Sequence, residues 1–253
     1  MANILTDEQK DLVEMVRDFA ANEIKPHIKE LDITGEFPLE LLKKAIDMGL
    51  HTLEIPEKDG GAGLDFQTTA AVFEELAKVD AGYAITLVTN FVALRAVNAS
   101  GNEMQKKLFA DIIIPGGYGS FCLTEPNAGS DAGALKTTAA KDGDEYVLNG
   151  RKCFVTNGGF ADVYVVFAST NKDKRIKGIS AFIVEKSRLG ITVGKHEDKM
   201  GLRLSNTCDV VFDDVRVPAD HLIGKEGEGF KVAMQALNVS RAFVGTLAVG
   251  ICQ

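Results

Sequence analysis

Two short stretches carry more hydrogen-bonding groups than a turn requires. Phe121 to Asp131 reads FCLTEPNAGSD, and Phe154 to Gly159 reads FVTNGG. A surface turn needs only two or three small or polar residues. The first stretch instead crowds hydroxyls, carboxylates and bare backbone amides into a whole loop. Preorganised amides and hydroxyls in that density can hold a polar or anionic group without reorganising. Taken alone, the first stretch also fits an elaborate turn. Two cationic features stand apart from these loops. Arg241 is a lone cation on an otherwise apolar helix, where an unpaired buried charge is costly, so an anionic or polar partner is expected, either a ligand or a carboxylate of the protein. NKDKRIK, Asn171 to Lys177, carries Lys172, Lys174, Arg175 and Lys177 between strands and fits an anion contact or a solvated hairpin tip.

Other chemistries are excluded. His27, His51, His196 and His221 lie at no metal-ligand spacing to another His or Cys, so no metal is expected. Cys122, Cys153, Cys208 and Cys252 form no CxxC pair. With no secretory leader in front of them they read as free thiols in a reducing, cytoplasmic setting. No GxGxxG follows a strand, which argues against a Rossmann cofactor site. Net charge is −8, with 28 Lys and Arg against 36 Asp and Glu. That argues against general nucleic-acid binding but leaves room for a small anionic ligand. No apolar run reaches the ~18 residues of a bilayer span. The longest candidate, Ala81 to Val97, is broken by Asn90 and Arg95, so no membrane insertion is expected.

The elements that must position these residues change character along the chain. Its 253 residues, 45% hydrophobic and 25% charged, suit two globular domains and part of a third. MANILTDEQKDL reads as an acidic helix start rather than a targeting segment, with Thr6 and Gln9 as a capping box. Leu12, Val13, Val16, Phe19, Ala20 and Ile24 follow helical spacing, and Pro26 ends or bends that helix. Pro38 starts another helix, with Gly49 just past its end. Glu57 to Phe66 reads as a flexible turn. Helices are predicted over Gln67–Val79, Tyr83–Ala99 and Glu103–Ile113, and IPGG breaks the pattern. The period then becomes two. Thr137 to Gly159 reads as strand, Asp-Gly turn, strand, Asn-Gly turn, strand. DVYVVFAST, GISAFIVEK, ITVGKHE and TCDVVFDDVRVP supply further strands, and helix-forming sequence resumes at Gly229. The predicted fold is α+β and multidomain: an N-terminal all-α helical domain over residues 1–115, a central antiparallel β-barrel or sandwich over 116–226, and the first helix of a truncated C-terminal helical domain over 227–253. AFVGTLAVGICQ is apolar on nearly every side and so must be buried all round. Either another chain or a further domain of this protein is expected to cover it.

This order of domains, taken with the motifs, resembles the acyl-CoA dehydrogenase family of flavoproteins, in particular its short- and medium-chain, butyryl-CoA-dehydrogenase-like members. The resemblance covers the whole chain. FCLTEPNAGSD is similar to the family's first flavin loop and FVTNGG to its second. KMGLRLSNT (Lys199 to Thr207) and VRVPADHLIGKEGEGF (Val215 to Phe230) are similar to two further signatures. The resemblance implies FAD, contacted by Phe121, Leu123, Thr124, Gly129, Ser130, Phe154, Val155 and Thr156. Thr124 and Thr156 would address the isoalloxazine and Phe154 would pack along it, where many relatives carry Trp. Gly129 and Ser130 would give close approach to the pyrophosphate. A flavin accepting hydride gathers negative charge on its N1–C2=O2 side, which fixed donors stabilise.

The implied substrate is an acyl-CoA thioester, oxidised to the trans-2-enoyl-CoA, with Ser130, Asn238, Ser240 and Arg241 on the CoA side and electrons passed to an electron-transferring flavoprotein. The loop Asn171 to Lys177 corresponds to one near the adenosine end of CoA. The family's glutamate base is expected beyond Gln253. In a minor branch it precedes the arginine, but Ser240 stands there and cannot serve. The resemblance further implies a homotetramer when intact, and this chain is expected to be an inactive or weakly active fragment. An acyl-CoA oxidase and a non-catalytic flavin- or acyl-CoA-binding module remain alternatives.

Overall fold

Thr6 opens the first helix, α1 (Asp7–Phe19), through the expected capping box: its Oγ1 accepts from Gln9 N at 3.3 Å, and Gln9 Oε1 accepts from Thr6 N at 2.9 Å. The computed structural model describes residues 5–253; the first four residues of MANILTDEQKDL lie outside that range. A π-helical turn, Ala20–Ile24, leads into α2 (Lys25–Thr34). Pro26 therefore does not end the helix: the backbone stays helical from Asp7 to Thr34, and the proline stands just after the π-helical turn, which is the local irregularity there. A proline inside a helical run removes one backbone donor, and a shift to π-type bonding beside it is a known way to take that up. Then come α3 (Leu39–Asp47), α4 (Phe66–Val79), α5 (Ala81–Ser100) and α6 (Glu103–Ile113). Glu57 to Phe66 is not loose. Gly61 N, Gly63 N and Leu64 N bond to Pro56 O, Ile55 O and Leu53 O, and Asp65 caps α4 at Thr68 N.

Eight strands follow in one sheet: β1 (Gly119–Cys122), β2 (Thr138–Asp142), β3 (Glu145–Thr156), β4 (Val163–Ser169), β5 (Ile179–Glu185), β6 (Ile191–His196), β7 (Thr207–Pro218) and β8 (Leu222–Ile223). Their order is β6-β7-β3-β2-β4-β5-β8, with β1 on β4. Pairing is mostly antiparallel, but β1 and β2 both run parallel to β4. The β2–β3 hairpin lies inside the connection that brings the chain from β1 back beside it. The helix α7 (Gly229–Cys252) closes the order.

One expected turn is absent. Asn149-Gly150 lies within β3, where the register with β7 slips between Leu148 and Gly150. Asn149 is engaged by Asp214 instead, through two hydrogen bonds of 2.9 Å. Gly150 is required by close approach: a Cβ there would lie 2.3 Å from Thr137 Oγ1 and 2.7 Å from Thr137 Cα. An Asn-Gly pair signals a hairpin only where the chain must reverse, and here long pairing with β7 keeps it extended.

Compact packing sorts the chain into two units that cut across the sequence blocks. One comprises the residues to Val88, Asp198–Ser205 and Val239–Gln253; the other comprises Thr89–Glu197 and Asn206–Asn238. In the helical unit, Val16, Ile24, Leu42, Phe73 and Tyr83 are buried, Tyr83 Oη donates to Leu41 O at 2.8 Å, and Phe243 stacks edge-on against Phe66. In the sheet unit, Leu148, Val155, Tyr164, Val166, Phe182, Val210 and Phe212 form the core.

The last helix carries exposed apolar residues on the faces for which the sequence predicts cover from another chain or a further domain. α7 is long and apolar enough, by length and composition alone, to cross a membrane. It is also not buried all round. Ser240, Phe243, Leu247 and Gly250 form a buried stripe at helical spacing, while Val239, Val244, Val249 and Ile251 are exposed.

Replacing Gly150 by Ala is expected to lower the unfolding free energy by about 1–3 kcal/mol through overpacking against Thr137, read by urea titration. A cost near zero would restore Asn149-Gly150 as a free turn.

Candidate functional site

The two polar loops meet at the ends of β1 and β3. FCLTEPNAGSD leaves β1 and doubles back at once, with Glu125 N donating to Ala128 O and Ala128 N to Glu125 O. FVTNGG is the end of β3 and the turn after it. Cys153 N donates to Thr124 O at 2.9 Å, so the loops are joined backbone to backbone.

Beneath that junction lies an ion pair with no precedent in the sequence reading. Lys152 is 0% exposed and Glu125 6%. Lys152 Nζ donates to Glu125 Oε1 at 2.7 Å and to Leu123 O at 3.1 Å. Glu125 also accepts from Lys136 N at 2.6 Å and Thr137 N at 3.0 Å. Burial by itself would raise the Glu125 carboxyl. The Lys152 ammonium and these donors outweigh it and hold the carboxyl below its ordinary value. Burial pulls the Lys152 ammonium downward, with Glu125 opposing. The only hint in the sequence was a charged residue within the apolar alternation of RKCFVT. Strand periodicity cannot say whether such a lysine points to water.

The second loop is held as firmly. Ser120 Oγ donates to Thr156 O at 2.6 Å, Asn157 N to Asn206 O at 3.0 Å, and Gly159 N to Asn206 Oδ1 at 2.8 Å. Tyr164 Oη donates to Gly158 O at 2.8 Å. Asn206 comes from KMGLRLSNT, whose earlier residues, Lys199 to Ser205, belong to the helical unit.

Within this frame the side chains divide. Phe154 is 65% exposed, at φ +53°, inside a second register slip between Lys152 and Val155. An aromatic held in the left-handed region and turned to solvent costs free energy on two counts, which marks it as a contact for something else. Thr124 and Thr156 are half-exposed, and Gly129 and Ser130 exposed. A Cβ at Gly129 would meet nothing within 4 Å, so a ligand can reach its backbone. Leu123 and Val155 are buried, and what they can offer a ligand is main chain. Phe121 is half-buried with its ring against Phe167 at 4.8 Å. Exposed hydroxyls, open backbone and an unpacked aromatic suit a planar ring joined to phosphates, so the residues fit a flavin nucleotide.

The residues read as substrate contacts are distributed differently. Ser130 lies within the first loop. On α7, Asn238 and Arg241 are exposed while Ser240 is buried. Arg241 is thus not a buried charge, and Lys231 shares its helix. An exposed guanidinium carries no buried-charge penalty, so burial does not set the demand for a partner at Arg241. The basic loop is better placed than its sequence alone suggested. It folds as 3-10 turns over Lys172–Gly178, kinked at Arg175 (φ +49°). Lys172 and Arg175 join Lys136, Ser169 and Gly133 around a groove of about 360 Å³.

Glu125 has a folded-state pKa below its ordinary value, so its stabilisation is complete above the ordinary carboxylate range and is lost as pH falls through the depressed value. Glu125→Gln is expected to be less stable than wild type near neutral pH by about 1–3 kcal/mol. That deficit should shrink in urea titrations carried below about pH 4.

Known proteins are similar to this chain in sequence and fold. Residues 6–116 match the family model described as acyl-CoA dehydrogenase, N-terminal domain, and residues 120–215 the model for the acyl-CoA dehydrogenase middle domain. The short-chain specific acyl-CoA dehydrogenase of Megasphaera elsdenii is 44% identical over 255 residues, covering 98% of this chain and 67% of that protein. The solved butyryl-CoA dehydrogenase of the same organism superposes with a TM-score of 0.93 at 42% identity, over 97% of this chain and 66% of that one. An acyl-CoA dehydrogenase complexed with FAD, from Bacillus anthracis, gives 0.89 at 36% identity, over 98% of this chain and 43% of that one. The chain spans about two thirds of the length of the curated relatives it matches.

Proposed function

The chain belongs to the acyl-CoA dehydrogenase family, and from that premise we propose that the whole protein oxidises a short acyl-CoA thioester to its trans-2-enoyl-CoA using FAD. The observation that carries this reading is Phe154, strained and exposed beside two loops that Cys153 N and Thr124 O tie together. When bound, FAD supplies the acceptor for the β-hydride. Thr124 and Thr156 offer hydroxyls and amides to the ring, and Phe154 covers one of its faces. Gly129 and Ser130 present backbone to the pyrophosphate. Because the loops are fixed beforehand, these donors need no rearrangement as charge develops.

The thioester carbonyl acidifies the α-carbon, and the proton must pass to a base. We place that base outside these 253 residues, since Ser240 is a buried hydroxyl. The groove around Lys136, Lys172 and Arg175 suits the phosphates of CoA's nucleotide end. Electrons leave to an electron-transferring flavoprotein, and the whole protein is a tetramer. Its cysteines are free, three buried and Cys252 exposed, which fits a reducing compartment, and we place the protein in the cytoplasm.

The test is anaerobic addition of butyryl-CoA to the full-length, FAD-loaded protein. Bleaching of the flavin band is expected, followed by slow reoxidation in air and fast reoxidation by electron-transferring flavoprotein. Absence of bleaching would overturn the reading, and fast reoxidation in air would mean an oxidase. Phe154→Ala is expected to leave apo stability within roughly 0.5 kcal/mol, as for an exposed side chain, while weakening FAD binding about tenfold, near 1.4 kcal/mol.

The groove makes a separate expectation. Lys172→Ala with Arg175→Ala should raise KM for butyryl-CoA several-fold, most at low salt, and leave KM for the butyryl thioester of N-acetylcysteamine unchanged. Equal effects on both thioesters would remove the groove from the CoA site.

A further inference from the structure

We propose that Glu125 and Lys152 are positioning residues of the flavin site, setting the spacing of the two loops rather than merely adding stability to the sheet. The inference rests on the FAD reading above. Three links join consecutive residues of one loop to consecutive residues of β3: Leu123 O and Glu125 Oε1 to Lys152 Nζ, and Thr124 O to Cys153 N. Thr124 sits between the two residues that Lys152 holds. Phe154 begins one residue after the last link. The carboxylate has a second duty at the far end of the loop, where Lys136 N and Thr137 N bind it. Glu125 thereby pins both the entry and the exit of the segment that carries Gly129 and Ser130. Neither side chain is exposed to a ligand, so the pair acts through the groups it holds.

A purely structural pair makes a different prediction. Buried ion pairs replaced as a unit by apolar residues often keep or gain stability, whereas removing one partner strands a charge. A Leu at 125 and a Met at 152 can fill the space, but they cannot bond Leu123 O, Lys136 N or Thr137 N. Stability and loop position therefore separate in the double variant.

The experiment uses the full-length protein, stripped of flavin and titrated with FAD. Affinity, the visible circular dichroism of the bound flavin and the apo melting temperature are measured. Lys152→Met should lower apo stability and weaken FAD binding roughly tenfold or more. Glu125→Leu with Lys152→Met should recover much of the apo stability and still bind FAD roughly tenfold more weakly, with an altered flavin spectrum. Glu125→Gln, close to isosteric, provides a variant that folds should the others fail, and it should show the same spectral change in smaller measure. Val217→Ala, a fully buried residue of β7, should lower the melting temperature with affinity and spectrum unchanged. Wild-type affinity and spectrum in the double variant, or in Glu125→Gln if only that one folds, would overturn the positioning role while leaving the FAD reading intact. A wild-type protein that takes up no FAD would overturn the FAD reading and this inference with it.

Discussion

A lysine with no exposed surface holds the candidate site together. An ammonium removed from water must find an opposite charge and fill its donors, or it is lost to neutralisation or unfolding. Lys152 meets this demand with Glu125 and the carbonyl of Leu123, and Glu125 meets its own with the amides of Lys136 and Thr137. Each of these groups lies on the first loop, at its base, or on the strand next to the second. The cost of the buried charge is what makes the loop geometry specific. A loop that drifted away would leave Lys152 unpaired, so the alternatives to this arrangement are all expensive.

The same frame explains how the chain tolerates Phe154. A phenylalanine at positive φ, largely in water, is unfavourable by itself. It persists because residues on both sides are fixed, Lys152 and Cys153 by the first loop, Thr156 and Asn157 by Ser120 and Asn206. The register slip between β3 and β7 is where the extra length of chain goes. Strain of this kind is stored where surrounding structure over-determines it. Under the function proposed above, a flavin ring resting here would gain an aromatic face and donors that do not move.

The α7 helix is governed by a different constraint. One stripe, Ser240, Phe243, Leu247 and Gly250, is buried, and the remaining faces carry exposed valines beside Asn238 and Arg241. A serine and an arginine adjacent in sequence thus have opposite surroundings. This is the ordinary consequence of a 100° turn per residue, and it separates two side chains that a linear motif groups together.

Much of the architecture was legible in the residues themselves. The capping box at Thr6, the helix over Glu103–Ile113 and the change of period after IPGG are local effects, decided by spacing and backbone preference. The strands DVYVVFAST, GISAFIVEK and TCDVVFDDVRVP were legible for the same reason. The loops FCLTEPNAGSD and FVTNGG stood out as candidates because their donors are dense and their order distinctive, and the structure joins them through Cys153 N and Thr124 O. What failed was whatever depended on distant partners. Asn149-Gly150 read as a turn until pairing with β7 kept it extended, and Arg241 read as a buried charge until packing turned another face inward. The sequence by itself determined which residues could meet a ligand and in which elements they lie. Only the tertiary structure decided how those elements are held together, because a charge such as Lys152 acquires its cost, and its power to fix two loops, when burial takes it out of water.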